Sequence, residues 1–182
     1  MIKEMKQNKL ITILFICSLL FFSYFGIGCN EKVYLKTTQP YDLVDSSKHC
    51  KYVINTKYSS EAKKGISVWN KYKKGILTET TNSNNRDVII IDYDGGITRW
   101  VGQTDFSTGT IRISKHWAKH LEYDYFPDRA QGVVMHEIGH ALGLGDNTSN
   151  EKAVMYYEGG GLALIKLTGD DKASFDAAAK RY

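Results

Sequence analysis

The sequence predicts a single α+β domain: a mixed, twisted sheet, one long helix that carries the chemistry, and a helix near the C-terminus. Three observations predict it. The patterned segments run strand, helix, several strands, helix, loop, helix. A length of 182 residues fits one domain. An aromatic content of 12%, with twelve tyrosines, favours a packed core over disorder. No internal repeat interrupts the order.

The first 28 residues stand outside that domain. Lys3, Lys6 and Lys9 form a basic start, residues 10–25 are almost wholly apolar, and Gly26-Ile27-Gly28-Cys29 closes the stretch with small residues. Basic, apolar, small is the order of a secretory signal. The apolar run, about 16 residues, falls short of the roughly 20 that span a bilayer, so an uncleaved anchor is the lesser reading. The cysteine after a small residue resembles the lipobox of bacterial lipoproteins. It departs from that pattern at Gly26, where leucine is preferred. The resemblance implies a diacylated Cys29 at the new N-terminus, and two acyl chains hold a protein stably on a membrane. The expected organisation is signal peptide 1–28, tether 29–49 and domain 50–182, exported and facing outward as a membrane lipoprotein or secreted.

Removing residues 1–28 takes three lysines and Glu4 from a net charge of +4, leaving +2. So weak a bias, without basic runs, argues against nucleic acid. Cys29 and Cys50 remain. With Cys29 acylated, Cys50 has no partner, and about 154 residues must fold by burial alone, enough for one core.

The elements follow in order. Residues 30–47 are polar and weakly patterned, as a tether would be. Residues 51–55 alternate as a first strand. Ser59 or Ser60 caps a helix to about Lys73, with Ala62, Ile66, Trp69 and Tyr72 on one face. Lys74-Gly75 ends it. The β-branched run 88–91 is a buried strand, and Asp94-Gly95-Gly96 a turn. Residues 100–102 and 110–114 are further strands, with Ser107-Thr108-Gly109 between them. Pro127-Asp128-Arg129 opens the long helix, which ends near Gly143 and is followed by a polar loop, 146–152. Thr168 with Asp171 forms a capping box for a last helix to about Arg181.

The long helix carries His136-Glu137-Ile138-Gly139-His140. Histidines four apart project from one helical face and can reach one metal ion. Glu137 lies too far round the helix to join as an equivalent ligand, but can act on a metal-activated water. Catalytic zinc needs a third protein donor and one open position. Glycine tolerates the left-handed conformation that ends helices, so Gly143 lets the chain turn back, and Asp146 follows three residues later. Capping the loop with Asn147, or binding calcium, is the lesser reading of Asp146.

This stretch, with Ala153-Val154-Met155-Tyr156-Tyr157, resembles the metzincin metalloproteases, whose motif is H-E-x-x-H-x-x-G-x-x-H/D followed by a Met-turn. Residues 141–145 and 153–157 are similar to the matrixin branch. Asp146 stands where matrixins have histidine and is similar to the snapalysin branch. The likeness is strong over 130–157 and only architectural from about Cys50 to Tyr182. It implies a zincin-type fold with His136, His140 and Asp146 on zinc. Glu137 would be general base and then acid, and Met155 an apolar floor under the metal. Tyr157, at the offset of a tyrosine in astacins and serralysins, would steady the transition state; matrixins usually have proline there. The plainer reading of Tyr157 is a pocket wall. An anionic third ligand offsets more of the cation's charge than a histidine would, which places the expected pH optimum above neutral.

The expectation is a zinc metalloendopeptidase acting on proteins or peptides outside the cell, as a monomer. The competing class is a zinc-binding surface lipoprotein that grips a partner without cutting it. Purely structural zinc sites are usually closed by four protein ligands and have no use for Glu137. Other donors read more plainly. His116 and His120 are expected at the surface rather than as a second metal pair. His49-Cys50 is read as an ordinary thiol site rather than a latency switch, although thiolates bind zinc well. Calcium (Ca2+) at Asp92, Asp94 and Gly95 is a secondary expectation beside a plain turn.

Overall fold

A computed structural model describes residues 33–96, 98, 100–116, 129–157 and 165–182. The signal segment, Cys29, His120, Pro127-Asp128 and Gly159-Gly160-Gly161 lie outside these residues. Tyr34–Tyr182 form one compact unit.

Five strands form one sheet: β1 (Cys50–Asn55), β2 (Leu77–Glu79), β3 (Val88–Tyr93), β4 (Gly102–Asp105) and β5 (Thr110–Ser114), in the order β2-β1-β3-β5-β4. β2, β1, β3 and β5 run parallel, and β4 pairs antiparallel with β5 at the edge. The sheet is mixed, and the α+β class read from the sequence holds. Parallel neighbours need a crossover, and α1 (Ser59–Tyr72) supplies the one between β1 and β2. α2 (Arg129–Ala141) is the long helix and α3 (Gly169–Ala178) the last.

Burial along the strands explains which face the helices cover. Val88 and Ile90 are fully buried while Ile89 and Ile91 are only half-buried. The β-branched run is therefore a one-sided strand, not one buried on both faces. With Ile111 and Ile113 these residues join Ala62, Ile66 and Trp69 of α1 and Val134, Met135 and Ile138 of α2 in one core. α1 and α2 meet closely at Gly65, where a Cβ would lie 3.0 Å from the Gln131 carbonyl oxygen and 3.1 Å from Met135 Cγ. One turn on, Trp69 Nε1 donates to the Met135 carbonyl at 2.9 Å, so the largest core side chain spends its polar edge on the site helix.

Several boundaries differ from expectation. α1 has Tyr58 at its N-cap with no side-chain cap bond, so Ser59 and Ser60 occupy the first turn instead of capping it. The strand expected at 100–102 begins at Gly102 and runs through Gln103, Thr104 and Asp105. Pairing with β5, not an apolar run, selects it. β2 escaped the sequence reading because three residues carry too little pattern. α3 stops at Ala178, short of Arg181, but its capping box is present: Thr168 Oγ1 accepts from Asp171 N at 3.3 Å and Asp171 Oδ2 from Thr168 N at 2.7 Å.

The polar stretch read as a tether makes specific bonds from Leu35 onward. Leu35 N donates to Asp170 Oδ1 (2.9 Å), Thr37 N to Ser174 Oγ (2.9 Å), and Leu43 N to the Ala141 carbonyl (2.7 Å). Two of these bonds meet side chains of α3, and the third meets a carbonyl at the end of α2.

Truncating Trp69 to alanine empties the contact between α1 and α2. We expect a loss of about 3–5 kcal/mol in unfolding free energy, read by urea titration of the zinc-loaded protein.

Candidate metal centre

α2 is buried along nearly its whole length, and the two histidines sit on the face that meets the following loop. Their rings lie 4.7 Å apart at 87°. Each inner nitrogen faces a backbone carbonyl: His136 Nδ1 is 2.9 Å from Val154 O, and His140 Nδ1 is 3.0 Å from Leu144 O. A carbonyl only accepts, so both Nδ1 atoms carry hydrogen in the neutral ring and both Nε2 lone pairs face outward.

Asp146 meets them there. Its Oδ1 is 3.3 Å from His136 Nε2 and 3.5 Å from His140 Nε2, and ligand atoms of the three residues all lie within 4.8 Å of one another. Tetrahedral zinc with bonds of about 2.0–2.1 Å requires donors about 3.3–3.4 Å apart. The two contacts to Asp146 match that requirement. Two nitrogens and one carboxylate oxygen are the donor set of a catalytic zinc, which keeps its fourth position for water. Among the described residues this is the only such group of three.

The loop that delivers Asp146 is set by the end of α2. Gly143 has φ +87°, a left-handed conformation costly for other residues. Leu144 N bonds Gly139 O (3.0 Å) and Gly143 N bonds His140 O (2.8 Å), the paired closure of a Schellman turn. Donors from distant parts of the chain also reach this stretch, one of them a second donor to His140 O. Gln39 Nε2 donates to His140 O (2.9 Å), Tyr182 Oη to Leu142 O (3.2 Å), and Gln39 N to Gly143 O (3.1 Å). Thr37 Oγ1 donates to Gly145 O (3.0 Å), and Gly145 N returns a bond to Thr37 O (3.1 Å). Asn147 is buried, and its side chain caps the loop by accepting from Ser149 N and Asn150 N, both at 2.9 Å. Loop-capping thus falls to Asn147, and the Asp146 carboxylate meets the histidines.

Met155 packs against α2 at Gly139. It is buried, and a Cβ at Gly139 would collide with its sulfur, so Gly139 is bare because Met155 fills the space. The turn carrying Met155 is fastened by Asp171. One oxygen accepts from Met155 N (3.1 Å), the other from Val154 N (3.1 Å), Thr168 N and Thr168 Oγ1 (both 2.7 Å). Four donors satisfy a fully buried carboxylate, and Val154 then offers its own carbonyl to His136. The capping box made half of Asp171's role readable. Its reach to residues 16 and 17 positions earlier has no local signature.

Glu137 is buried, and Thr104 Oγ1 on β4 lies 2.7 Å from its Oε2. No sequence signal marked Thr104. Tyr157 is 53% exposed, its ring edge-on to Tyr156 at 5.5 Å, and its N–H donates to Asn147 O (3.3 Å), one residue beyond Asp146. His116 is half-buried, while its candidate partner His120 is not described. Cys50 is fully buried in β1, and burial, aided by the charges of Asp87, Asp45 and Asp42, pushes its thiol well above the usual range. It is an inert core thiol. Asp92 accepts from Thr56 Oγ1 and from Lys57 N (3.2 Å), and Asp94 pairs with Lys115 (3.0 Å), so both carboxylates expected around calcium have protein partners.

The group's charges are coupled. Burial alone would lower the His136 pKa, but the bond to Asp146, the charge of Glu137 and the Val154 carbonyl outweigh it, and the net shift is upward. His136 in turn lowers the Asp146 pKa against its partial burial, helped by the charge of His140.

Comparison with known proteins adds the fold. No family model matches the chain, and no curated protein matches it. Among solved structures it is similar to an archaemetzincin from Methanopyrus kandleri, with a TM-score of 0.56 and 15% identity over 76% of this chain and 99% of that one. Two weaker likenesses are a zinc-dependent peptidase from Methanocorpusculum labreanum (TM-score 0.47, 11% identity, 69% of this chain and 99% of that) and an archaemetzincin from Archaeoglobus fulgidus complexed with malonate (0.45, 14%, 68% and 99%). At such low identity the first likeness establishes a shared fold.

Two outcomes follow from the centre's geometry. Replacing Asp171 by asparagine turns an amide N–H₂ toward backbone donors. It should cost about 3 kcal/mol, read by chemical denaturation, and weaken zinc binding, read by competition with a chromophoric chelator. In chelator-treated protein the raised His136 pKa favours the folded state below the ordinary histidine value, and that contribution is lost as pH rises through the folded value. The lowered Asp146 pKa contributes above the ordinary carboxylate range and is lost on acidification through its own folded value. The melting temperature of wild type relative to His136→Asn should therefore fall between pH 6 and pH 8.5, and calorimetry of the two chelated proteins checks it.

Proposed function

We propose that this chain is a zinc metalloendopeptidase of metzincin type, exported and held on the outer face of a membrane through lipidated Cys29. The observation that carries the reading is the convergence of His136 Nε2 and His140 Nε2 on Asp146 Oδ1, at 3.3 and 3.5 Å, with the buried carboxylate of Glu137 one residue on from His136. The fold shared with the Methanopyrus kandleri archaemetzincin supports it. The third ligand is of the snapalysin kind, and the Met155 turn of the matrixin kind. Export rests on the basic, apolar and small order of residues 1–28, and anchoring on Cys29.

When bound, zinc supplies Lewis acidity to the scissile carbonyl and to the attacking water. Glu137 accepts the proton that water loses as its oxygen bonds to the carbonyl carbon, and passes that proton to the amine nitrogen as the C–N bond breaks. His136 and His140 hold orientation through their Nδ1 bonds. Asp146 supplies the anionic donor. Tyr157, beyond the turn, lends its hydroxyl to the oxyanion.

Peptide digestion by the purified domain, with and without chelator and beside Glu137→Ala, tests the reading. Chelation should abolish cleavage, and the alanine variant should lose about 10²–10⁴-fold in kcat while keeping one bound zinc. Cleavage indifferent to both changes defeats the assignment. A wild type that binds one zinc and cuts nothing is a binding module instead.

A further inference from the structure

Glu137 is held by a group outside its own helix. β4 lies along α2, and strand residues two apart share a face, so Gly102 and Thr104 both meet the Glu137 side chain. At Gly102 a Cβ would stand 2.7 Å from Glu137 Oε1 and 2.8 Å from its Cγ, so only a bare α-carbon leaves room for the stem. Thr104 Oγ1 lies 2.7 Å from Glu137 Oε2 and 3.0 Å from the Glu137 carbonyl oxygen. A hydroxyl has one proton to give. The carbonyl is placed to accept from the helix's own ladder, whereas the carboxylate contact is shorter and charge-assisted.

We propose that Thr104 is a positioning residue for the general base: its hydroxyl holds Oε2 of Glu137, leaving Oε1 to receive the proton. The inference rests on the peptidase reading above. A glutamate has three rotatable torsions, and a general base must stay within about 2.6–3.2 Å of the proton it takes. One fixed oxygen and a stem lodged against Gly102 remove most of that freedom before substrate arrives. Threonine suits the task because its branched Cβ stiffens χ1.

A merely structural Thr104 would tie β4 to α2, and its loss would appear as instability. The test compares Thr104→Val and Thr104→Ser with wild type as zinc-loaded enzymes. Thr104→Val should keep zinc stoichiometry, melting temperature and KM, lose about 10- to 100-fold in kcat, and show the Glu137 carboxylate displaced in its crystal structure. Thr104→Ser should recover most of the rate and the wild-type carboxylate position. Wild-type kcat in Thr104→Val, or a rate loss that tracks lost zinc or lowered melting, overturns the proposal. Should the wild type cleave nothing, the peptidase reading fails separately. The crystal structures then decide, a carboxylate unmoved in Thr104→Val overturning the positioning role and a displaced one sustaining it.

Discussion

Each imidazole of the candidate centre is oriented through the nitrogen that faces away from it. Val154 O and Leu144 O take the two Nδ1 hydrogens, and neither carbonyl belongs to α2. The helix fixes only the spacing of the rings. Their aim depends on two loops, and most of the surrounding architecture holds those loops still. Gly143 turns the first, Asn147 closes it, and Asp171 holds the second through Val154 N and Met155 N. A ligand's outer partners commonly matter almost as much as the ligand itself, and here one comes from the loop that delivers Asp146 and the other from the turn that carries Met155.

The centre is also an answer to the cost of burying charge. Glu137 and Asp171 are carboxylates in an apolar core, where an unpaired ion would be intolerable. Asp171 is saturated by four donors and serves as scaffold. Glu137 has a hydroxyl from β4 on one oxygen. The two carboxylates thus differ in their partners: Asp171 fastens backbone, and Glu137 meets a side chain of the sheet.

What could be read from the sequence was local. Two histidines four apart, the glycine that stops their helix and the donor three residues on are set by helical geometry and one left-handed residue, and the structure brings them together. The Thr168–Asp171 box is likewise a four-residue affair. Thr104, Gln39 and the second face of Asp171 act 16 to 101 residues away, and nothing in their neighbourhoods announces it. The bonds of the stretch after residue 33 were hidden for a related reason. A polar, weakly patterned segment looks alike whether it is solvated or bonded to a helix end, and only the unpaired carbonyls of α2 distinguish the two.

Those carbonyls have a consequence for how the molecule comes into being. The partners that clamp residues 140–145 come from both sides of the sequence: Thr37 and Gln39 long before them, Arg181 and Tyr182 long after. During synthesis the histidines and Asp146 emerge from the ribosome before Asp171 and Tyr182 have been made. The donors therefore exist as a loose cluster first and as a rigid cage only after the last helix docks. The rigidity of the site is thus a property of contacts made late, by residues that carry none of its donors.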